Sequence, residues 1–196
     1  MKKTLLFLAF ATSLAGLALA QEPETKPNDQ AAVTAAAVAA DVNTEATDAP
    51  AGASPLRDLA WLVGEWTNAG GASGISTTVA WTKNKSFLTY SFKVSVPGTK
   101  DLEGTQVIGW DPAAGTIRSW MFDSDAGFGE GTWTKKGNRW MIKFKQVLPD
   151  GRKASATNIY TIIDNDTLTW QSIGREVDGQ FMPNVGPVKV VRKGKS

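Results

Sequence analysis

The chain has 196 residues, with 21 basic and 19 acidic side chains, and it contains neither histidine nor cysteine. Without these two residue types it can form no Ser-His-Asp or Cys-His catalytic centre, no disulfide, no thiolate or imidazole metal site, and no haem centre with a histidine or cysteine ligand. The remaining acids and bases are carboxylates, lysines and two tyrosines, and we expect no cofactor and no metal.

Residues 1–20 are typical of a secretory signal peptide, because two lysines precede an apolar run that ends in Ala-Leu-Ala. We expect cleavage between Ala20 and Gln21, and therefore an exported protein that is periplasmic or secreted. A membrane anchor is not expected, since there is no cysteine to carry a lipid and no later run is long and apolar enough to span a bilayer.

Residues 21–55 are rich in alanine and acidic side chains and contain no aromatic residue, leucine or isoleucine. Such a segment cannot bury enough apolar surface to offset the entropy lost on ordering, so we interpret it as a disordered linker. It carries six carboxylates and one lysine, whereas the chain from Leu56 onward carries 18 basic and 13 acidic residues. The basic residues are scattered rather than clustered, which argues against a nucleic-acid partner.

Residues 56–193 form the predicted folded domain, followed by a short tail at 194–196. Short runs rich in Val, Ile, Thr and aromatic residues alternate with turn residues, a pattern typical of an all-β sandwich or barrel. Ten strands are predicted, at 62–67, 75–82, 86–96, 103–110, 116–123, 127–135, 138–148, 152–163, 167–177 and 187–192. Their short connections favour sequential antiparallel hairpins, and closure would remove the exposed edges. We therefore predict an all-β, antiparallel up-and-down barrel of about ten strands.

One hairpin can be placed in register. A turn centred on Lys136 and Gly137 pairs Thr134 with Arg139. Three pairs are then predicted on the core face: Trp133 with Trp140, Gly131 with Ile142, and Gly129 with Phe144. The glycines leave room there for large side chains. Two pairs are predicted on the outer face: Glu130 with Lys143, and Phe128 with Lys145. Glu130 is thus expected to form a surface charge pair rather than to act as a catalytic acid.

The hairpin around Asp111 leaves its inward face open, because both faces are apolar. One face carries Val107, Arg118, Trp120 and Phe122. The other carries Ile108, Trp110, Ile117 and Met121. If the first face points inward, Arg118 becomes a charged group inside the barrel, where an arginine needs a partner.

The last long hairpin offers a second inward candidate. Its predicted register places Leu168 and Trp170 on the face of Ile159 and Ile163. The opposite face carries Asn158, Tyr160, Gln171 and Arg175. Arg118 is therefore the leading candidate for an inward polar contact, and Arg175 is the second. The candidate ligand-binding residues are Arg118, Trp120, Phe122, Trp140, Phe144, Trp170 and Arg175.

Two other sequence patterns suggest binding sites but have simpler explanations. Asp123, Asp125 and Gly127 match the first half of a calcium loop, yet Thr134 stands where the loop requires a bidentate glutamate. We interpret this segment as a turn, which Asp and Ser stabilise locally. The run RWMIKFKQV interleaves aromatic and basic residues, but the predicted register separates them onto opposite faces, so no nucleic-acid stacking surface is expected.

The run WLVGEW, with Gly-x-Trp on the first predicted strand, resembles the start of lipocalin-like (calycin) barrels. In that family the tryptophan plugs one end of the barrel, and an arginine from the last strand packs on it. The resemblance implies that Gly64 and Trp66 help to close the barrel, and that Arg192 in PVKVVRK lies over Trp66.

A closer resemblance covers nearly the whole predicted domain. The runs GTQVIGWDP, IRSWMFDSDAGFGEGTW and DGRKASATNIYT are similar to the C-terminal domain of exported bacterial proteins that often carry an N-terminal SnoaL-like domain. Here residues 21–55 stand in place of that first domain, so its activity is not implied. A more distant resemblance to nitrobindin-type barrels does not imply haem binding, since the haem histidine is missing.

The function expected from the sequence is a non-catalytic barrel that binds a small apolar or amphipathic ligand in the cell envelope, since concave apolar barrels are common binding sites. One alternative is a structural or interaction module whose interior is filled by its own tryptophans. Another is an enzyme that uses Arg118 or Arg175 together with a carboxylate. The volume of the interior distinguishes the first two, and the third requires a carboxylate beside an inward arginine and an open cavity.

Overall fold

The computed structural model describes residues 55–70 and 74–194, which form a closed antiparallel β-barrel preceded by one short helix. A 3₁₀ helix spans Pro55–Leu62. The strands are β1 (Gly64–Asn68), β2 (Gly74–Trp81), β3 (Phe87–Ser95), β4 (Leu102–Asp111), β5 (Thr116–Asp123), β6 (Phe128–Lys136), β7 (Arg139–Val147), β8 (Lys153–Ile162), β9 (Thr167–Val177), β10 (Gln180–Phe181) and β11 (Val185–Arg192). The predicted signal peptide, the linker up to residue 54 and the last two residues lie outside the described residues.

Ten of the strands close the barrel, which confirms the predicted fold class. From β1 to β9 each strand pairs with the next one along the chain, and β11 lies between β9 and β1. The first strand begins at Gly64, later than predicted, because the preceding residues belong to the helix. β10 is a two-residue strand beside the end of β9, and the sequence pattern does not predict it. Within residues 55–70 and 74–194, no helix has the length and apolar character needed to cross a membrane.

The strands bury alternate side chains, as β7 illustrates. Its residues Trp140, Ile142 and Phe144 are buried, whereas Lys143 and Lys145 between and beside them are exposed. Successive side chains of a strand point to opposite faces of the sheet, so each strand contributes one face to the core and one to the surface.

The turn between β6 and β7 lies one residue later than predicted. Lys136 pairs with Arg139, so Gly137 and Asn138 form the turn. Gly137 has a φ of 62° and Asn138 has no positive φ, which is the pattern of a type II′ hairpin turn. The predicted partners are therefore wrong by two residues, and Thr134 pairs with Met141 rather than with Arg139.

The faces predicted for this hairpin are nevertheless correct, because a shift of two residues preserves the alternation of a strand. The observed inward pairs are Trp133 with Ile142, Gly131 with Phe144, and Gly129 with Gln146; the outward ones include Glu130 with Lys145 and Phe128 with Val147. The glycines do make room for Phe144, since a Cβ on Gly129 would lie 2.7 Å from its ring. Glu130 is on the outer face, as predicted.

The face assignment predicted for β8 and β9 is wrong. Five residues separate the paired Ile162 and Leu168. This odd number reverses the alternation relative to an even loop. Trp170 consequently lies opposite Tyr160, and Ile159 is on the other face, opposite Gln171.

One end of the barrel is closed by the 3₁₀ helix and by Trp66. The helix buries its three leucines, Leu56, Leu59 and Leu62. The indole nitrogen of Trp66 donates a hydrogen bond to the carbonyl of Leu62 at 2.8 Å, which ties the helix to β1. Arg192 is the direct partner of Trp66 on β11, and its guanidinium carbon lies 4.1 Å from the centroid of the indole ring. This is the contact that the resemblance to lipocalin-like barrels implies.

Candidate functional site

The structure divides the seven candidate ligand-binding residues between the two faces of the barrel. The inward group consists of Trp140, Phe144, Trp170 and Arg175, all buried. The outward group consists of Arg118, Trp120 and Phe122 on β5. Phe122 is 59% exposed, whereas its neighbour Met121 is fully buried. The structure therefore shows which face of β5 points inward, a question that the sequence left open. The expectation that Arg118 is the leading inward polar group is wrong.

Arg118 is held on the outer face by two carboxylates. Its Nη2 donates to Glu130 at 2.6 Å and its Nη1 donates to Asp111 at 3.2 Å. The backbone N–H of Ala114 and then the Arg118 guanidinium hold the pKa of Asp111 below its ordinary value. The guanidinium carbon also lies 5.4 Å from the ring centroid of Trp120. Arg118 thus lies over the ring of Trp120, and Glu130 forms its ion pair with this arginine rather than with a lysine.

A groove of about 530 Å³ lies beside this cluster, on the outer face of β5 to β9. The residues that line it are Trp120, Phe122, Phe128, Gly129, Glu130, Lys145, Gln146, Val147, Lys153, Ala154, Ser155, Glu176, Asp178 and Gly179. Phe122 and Phe128 are cross-strand partners, and Phe128 is 50% exposed. The groove therefore has an aromatic wall on β5 and β6.

The opposite wall of the groove is charged. Lys145, Lys153 and Glu176 form no ion pair with any other residue in the described ranges. The Asp178 carboxylate accepts a hydrogen bond from the backbone N–H of Lys153 at 2.9 Å. The groove is consequently polarised, with exposed rings at one side and charged groups at the other.

Arg175 is the inward arginine, and a bulge turns it there. The pairing of β8 with β9 shifts register between Ser155 and Thr157, opposite Gly174 and Arg175, and Gly174 has a φ of 56°. Such a bulge re-aims the side chains that follow it. Arg175 is 7% exposed, its Nη1 donates to the carbonyl of Pro183 at 2.7 Å, and burial lowers its pKa. No described carboxylate lies within ion-pair distance of it.

Neither arginine therefore has the surroundings that the enzyme alternative requires. Arg118 has carboxylate partners but lies outside the barrel, and Arg175 lies inside but has no carboxylate partner among the residues described. Inside the barrel, a cavity of about 40 Å³ lies beside Tyr90, Tyr160 and Trp170. It is far smaller than the roughly 300 Å³ at which small-molecule pockets begin.

The Asp123 segment forms the expected turn. One oxygen of Asp123 accepts hydrogen bonds from the backbone N–H groups of Asp125 at 3.0 Å and Gly127 at 2.8 Å. A Cβ on Gly127 would collide with the same carboxylate, so a larger residue there would displace the Asp123 side chain from this turn. Across the described ranges, no group of three or more acidic, histidine or cysteine side chains is arranged to hold a metal ion.

Sequence reasoning did not identify the groove as a site. It placed Phe128 and Glu130 on the outer face, but it left the direction of Trp120 and Phe122 open, and it took the interior as the place for a ligand. Lys145 carried no signal in the sequence beyond its predicted outward position, and Lys153 carried none. The amino-acid sequence matches no protein-family model and no curated protein.

Proposed function

We propose that the protein is a non-catalytic β-barrel that binds a small amphipathic molecule in the cell envelope, and that the groove on the outer face of β5 to β9 is its binding site. The observation that carries this proposal is the groove of about 530 Å³ with an exposed aromatic wall. Its volume lies within the range of about 300–1,000 Å³ that is typical of small-molecule sites.

The aromatic wall supports binding because exposed apolar side chains are unfavourable in water unless something covers them. Phe122 and Phe128 are 59% and 50% exposed, and they are adjacent. Contiguous exposed apolar patches of this kind mark interaction sites more often than isolated exposed residues do. Trp120 extends the patch, and Arg118 lies over its ring.

The proposed location and family rest on the sequence. The leader-like residues 1–20 favour export to the periplasm or the exterior. The stacking of Arg192 on Trp66 supports a lipocalin-like relationship, with the ligand site displaced from the interior to the outer wall.

Fluorescence titration with N-phenyl-1-naphthylamine, an uncharged apolar dye, tests the proposed site. We expect saturable binding that becomes about tenfold weaker in F122A and in F128A, equivalent to about 1.4 kcal/mol each. I163A is the matched control, because Ile163 is 58% exposed but does not line the groove. Absence of saturable binding, or equal affinity in the wild type and both phenylalanine variants, overturns the proposal.

A further inference from the structure

The charged wall of the groove contains two lysines placed to act together. Lys145 lies directly opposite Ser155 on β8, and Lys153 is two residues from Ser155 on the same face. Side chains in this diagonal relationship are separated by about 7–8 Å at their bases, within reach of two long side chains that converge on one group. Both lysines line the groove.

Three carboxylates also line the groove, those of Glu130, Glu176 and Asp178, but none of them forms an ion pair with Lys145 or Lys153. Glu130 is engaged by Arg118 at 2.6 Å, and Asp178 accepts the backbone N–H of Lys153. Glu176 is the remaining carboxylate of the lining. Neither Lys145 nor Lys153 is within 4.0 Å of a carboxylate oxygen of the described residues.

The aromatic wall disfavours a cationic ligand. The face of an indole ring attracts cations, but Arg118 already lies over Trp120, with its guanidinium carbon 5.4 Å from the ring centroid. A second cation would have to compete with that guanidinium for the ring. The aromatic side of the groove is therefore suited to an uncharged body. The opposite side carries Lys145 and Lys153, which form no ion pair within the described residues, together with the equally unpaired Glu176.

From this arrangement we infer that the ligand of the groove is an anionic amphiphile. Its apolar body lies on Trp120, Phe122 and Phe128, and its carboxylate or phosphate group lies between Lys145 and Lys153. This inference rests on the proposed function, since it names the class of molecule that the same groove takes.

A pair of matched dyes tests the inference separately from the proposed function. 8-Anilinonaphthalene-1-sulfonate has the ring system of N-phenyl-1-naphthylamine with an added anionic group. At low salt we expect the sulfonate dye to bind about tenfold more tightly than the uncharged dye, since each exposed charge contact contributes a modest amount. The preference should shrink as salt screens the lysines.

The double variant K145Q/K153Q should lose this preference, so that the two dyes bind to it with similar affinity. K83Q is the matched control, because Lys83 is exposed in the turn between β2 and β3 and does not line the groove. If the uncharged dye binds in the groove and the two lysines have no effect on the sulfonate dye, the anionic assignment is overturned and the proposed function stands. If neither dye binds, the anionic assignment and the proposed function are both overturned.

Displacement of the sulfonate dye identifies the head group. We expect decanoate and decyl phosphate to displace it at lower concentration than decanol does, and the better of the two anions distinguishes a carboxylate from a phosphate ligand. Equal displacement by decanol contradicts the inference.

Discussion

Arg192 connects three segments at the closed end of the barrel while it covers Trp66. Its guanidinium carbon is 4.1 Å from the ring centroid of Trp66. Nη1 donates to the carbonyl of Val63 at 2.6 Å, and Nη2 donates to those of Trp61 at 3.0 Å and Asn165 at 2.9 Å. One side chain therefore joins the end of the 3₁₀ helix, the lead-in to β1 and the turn between β8 and β9.

The first prediction concerns this planar, multiply bonded side chain. R192K should lower the free energy of unfolding by about 2–3 kcal/mol, because an ammonium cannot reproduce several divergent hydrogen bonds and the stacking on an indole. Urea unfolding followed by tryptophan fluorescence measures the loss as a lower midpoint at unchanged slope. R139K, at an exposed position on β7, is the control and should leave the midpoint unchanged. Equal midpoints for wild type and R192K would contradict the structural role of Arg192.

Gly64 is the second residue on which this closure depends. Its φ is 128°, and a Cβ there would collide with Nη1 of Arg192. G64A should therefore destabilise the protein by about 2 kcal/mol, through backbone strain and displacement of the guanidinium. G186A on β11 provides the comparison, since a Cβ at Gly186 has nothing within 4 Å. Thermal unfolding of both variants checks the prediction, which fails if the two melting temperatures coincide.

The third prediction concerns the two tyrosines of the chain, Tyr90 and Tyr160. Both are buried and hydrogen-bonded to each other, and burial raises the pKa of each above the ordinary value of 10.0. In the unfolded chain they ionise near that value, whereas in the folded protein they keep their protons. Their contribution to stability is thus fully present below pH 10 and is lost as the pH rises further.

Tyrosinate absorbance should consequently remain absent in the folded protein above pH 10, and appear together with unfolding as one cooperative step. Y160F should halve the amplitude of this rise in tyrosinate absorbance, because only one tyrosine remains to ionise. Gradual ionisation near pH 10, while the near-ultraviolet circular dichroism stays native, would show that the tyrosines are accessible and would contradict the prediction.

The fourth prediction contrasts Arg175 with Arg192. Arg175 is buried, and within the described part of the chain it donates one side-chain hydrogen bond, to the carbonyl of the exposed Pro183. R175M loses that bond but removes an unpaired buried charge, and these effects oppose each other. We expect the free energy of unfolding to change by less than about 1 kcal/mol, much less than in R192M. Urea unfolding of both variants provides the measurement. If R175M and R192M lost a comparable free energy of unfolding, Arg175 would have a stabilising partner and the prediction would be wrong.

Whether the faces predicted for a hairpin are correct depends on whether its turn contains an even or an odd number of residues. For β6 and β7, the turn at Gly137 and Asn138 has an even number of residues, so the faces were correct even though the partners were shifted by two. For β8 and β9, the five residues after Ile162 reversed the faces. Local composition does not distinguish these cases, because parity depends on which residues form the last hydrogen-bonded pair.

The location of the candidate site was less predictable than the fold. Strand β5 has apolar side chains on both faces, so hydrophobicity alone could not decide between Met121 and Phe122 as the inward residue. The bulge at Gly174, which turns Arg175 inward, also depends on backbone geometry. The groove combines outward residues of separate strands, so it becomes visible only when register and sheet curvature are known.

The alternation of β5 has a consequence for how such a protein can change over evolution. Trp120 and Phe122 face the groove, while Ser119 and Met121, which alternate with them, are fully buried. A mutation at a groove position is therefore expected to change the proposed binding surface and to leave the packing behind it intact. Under the proposed function, the positions that determine ligand selectivity alternate along β5 with the positions that determine folding, so substitutions can change the one property without changing the other.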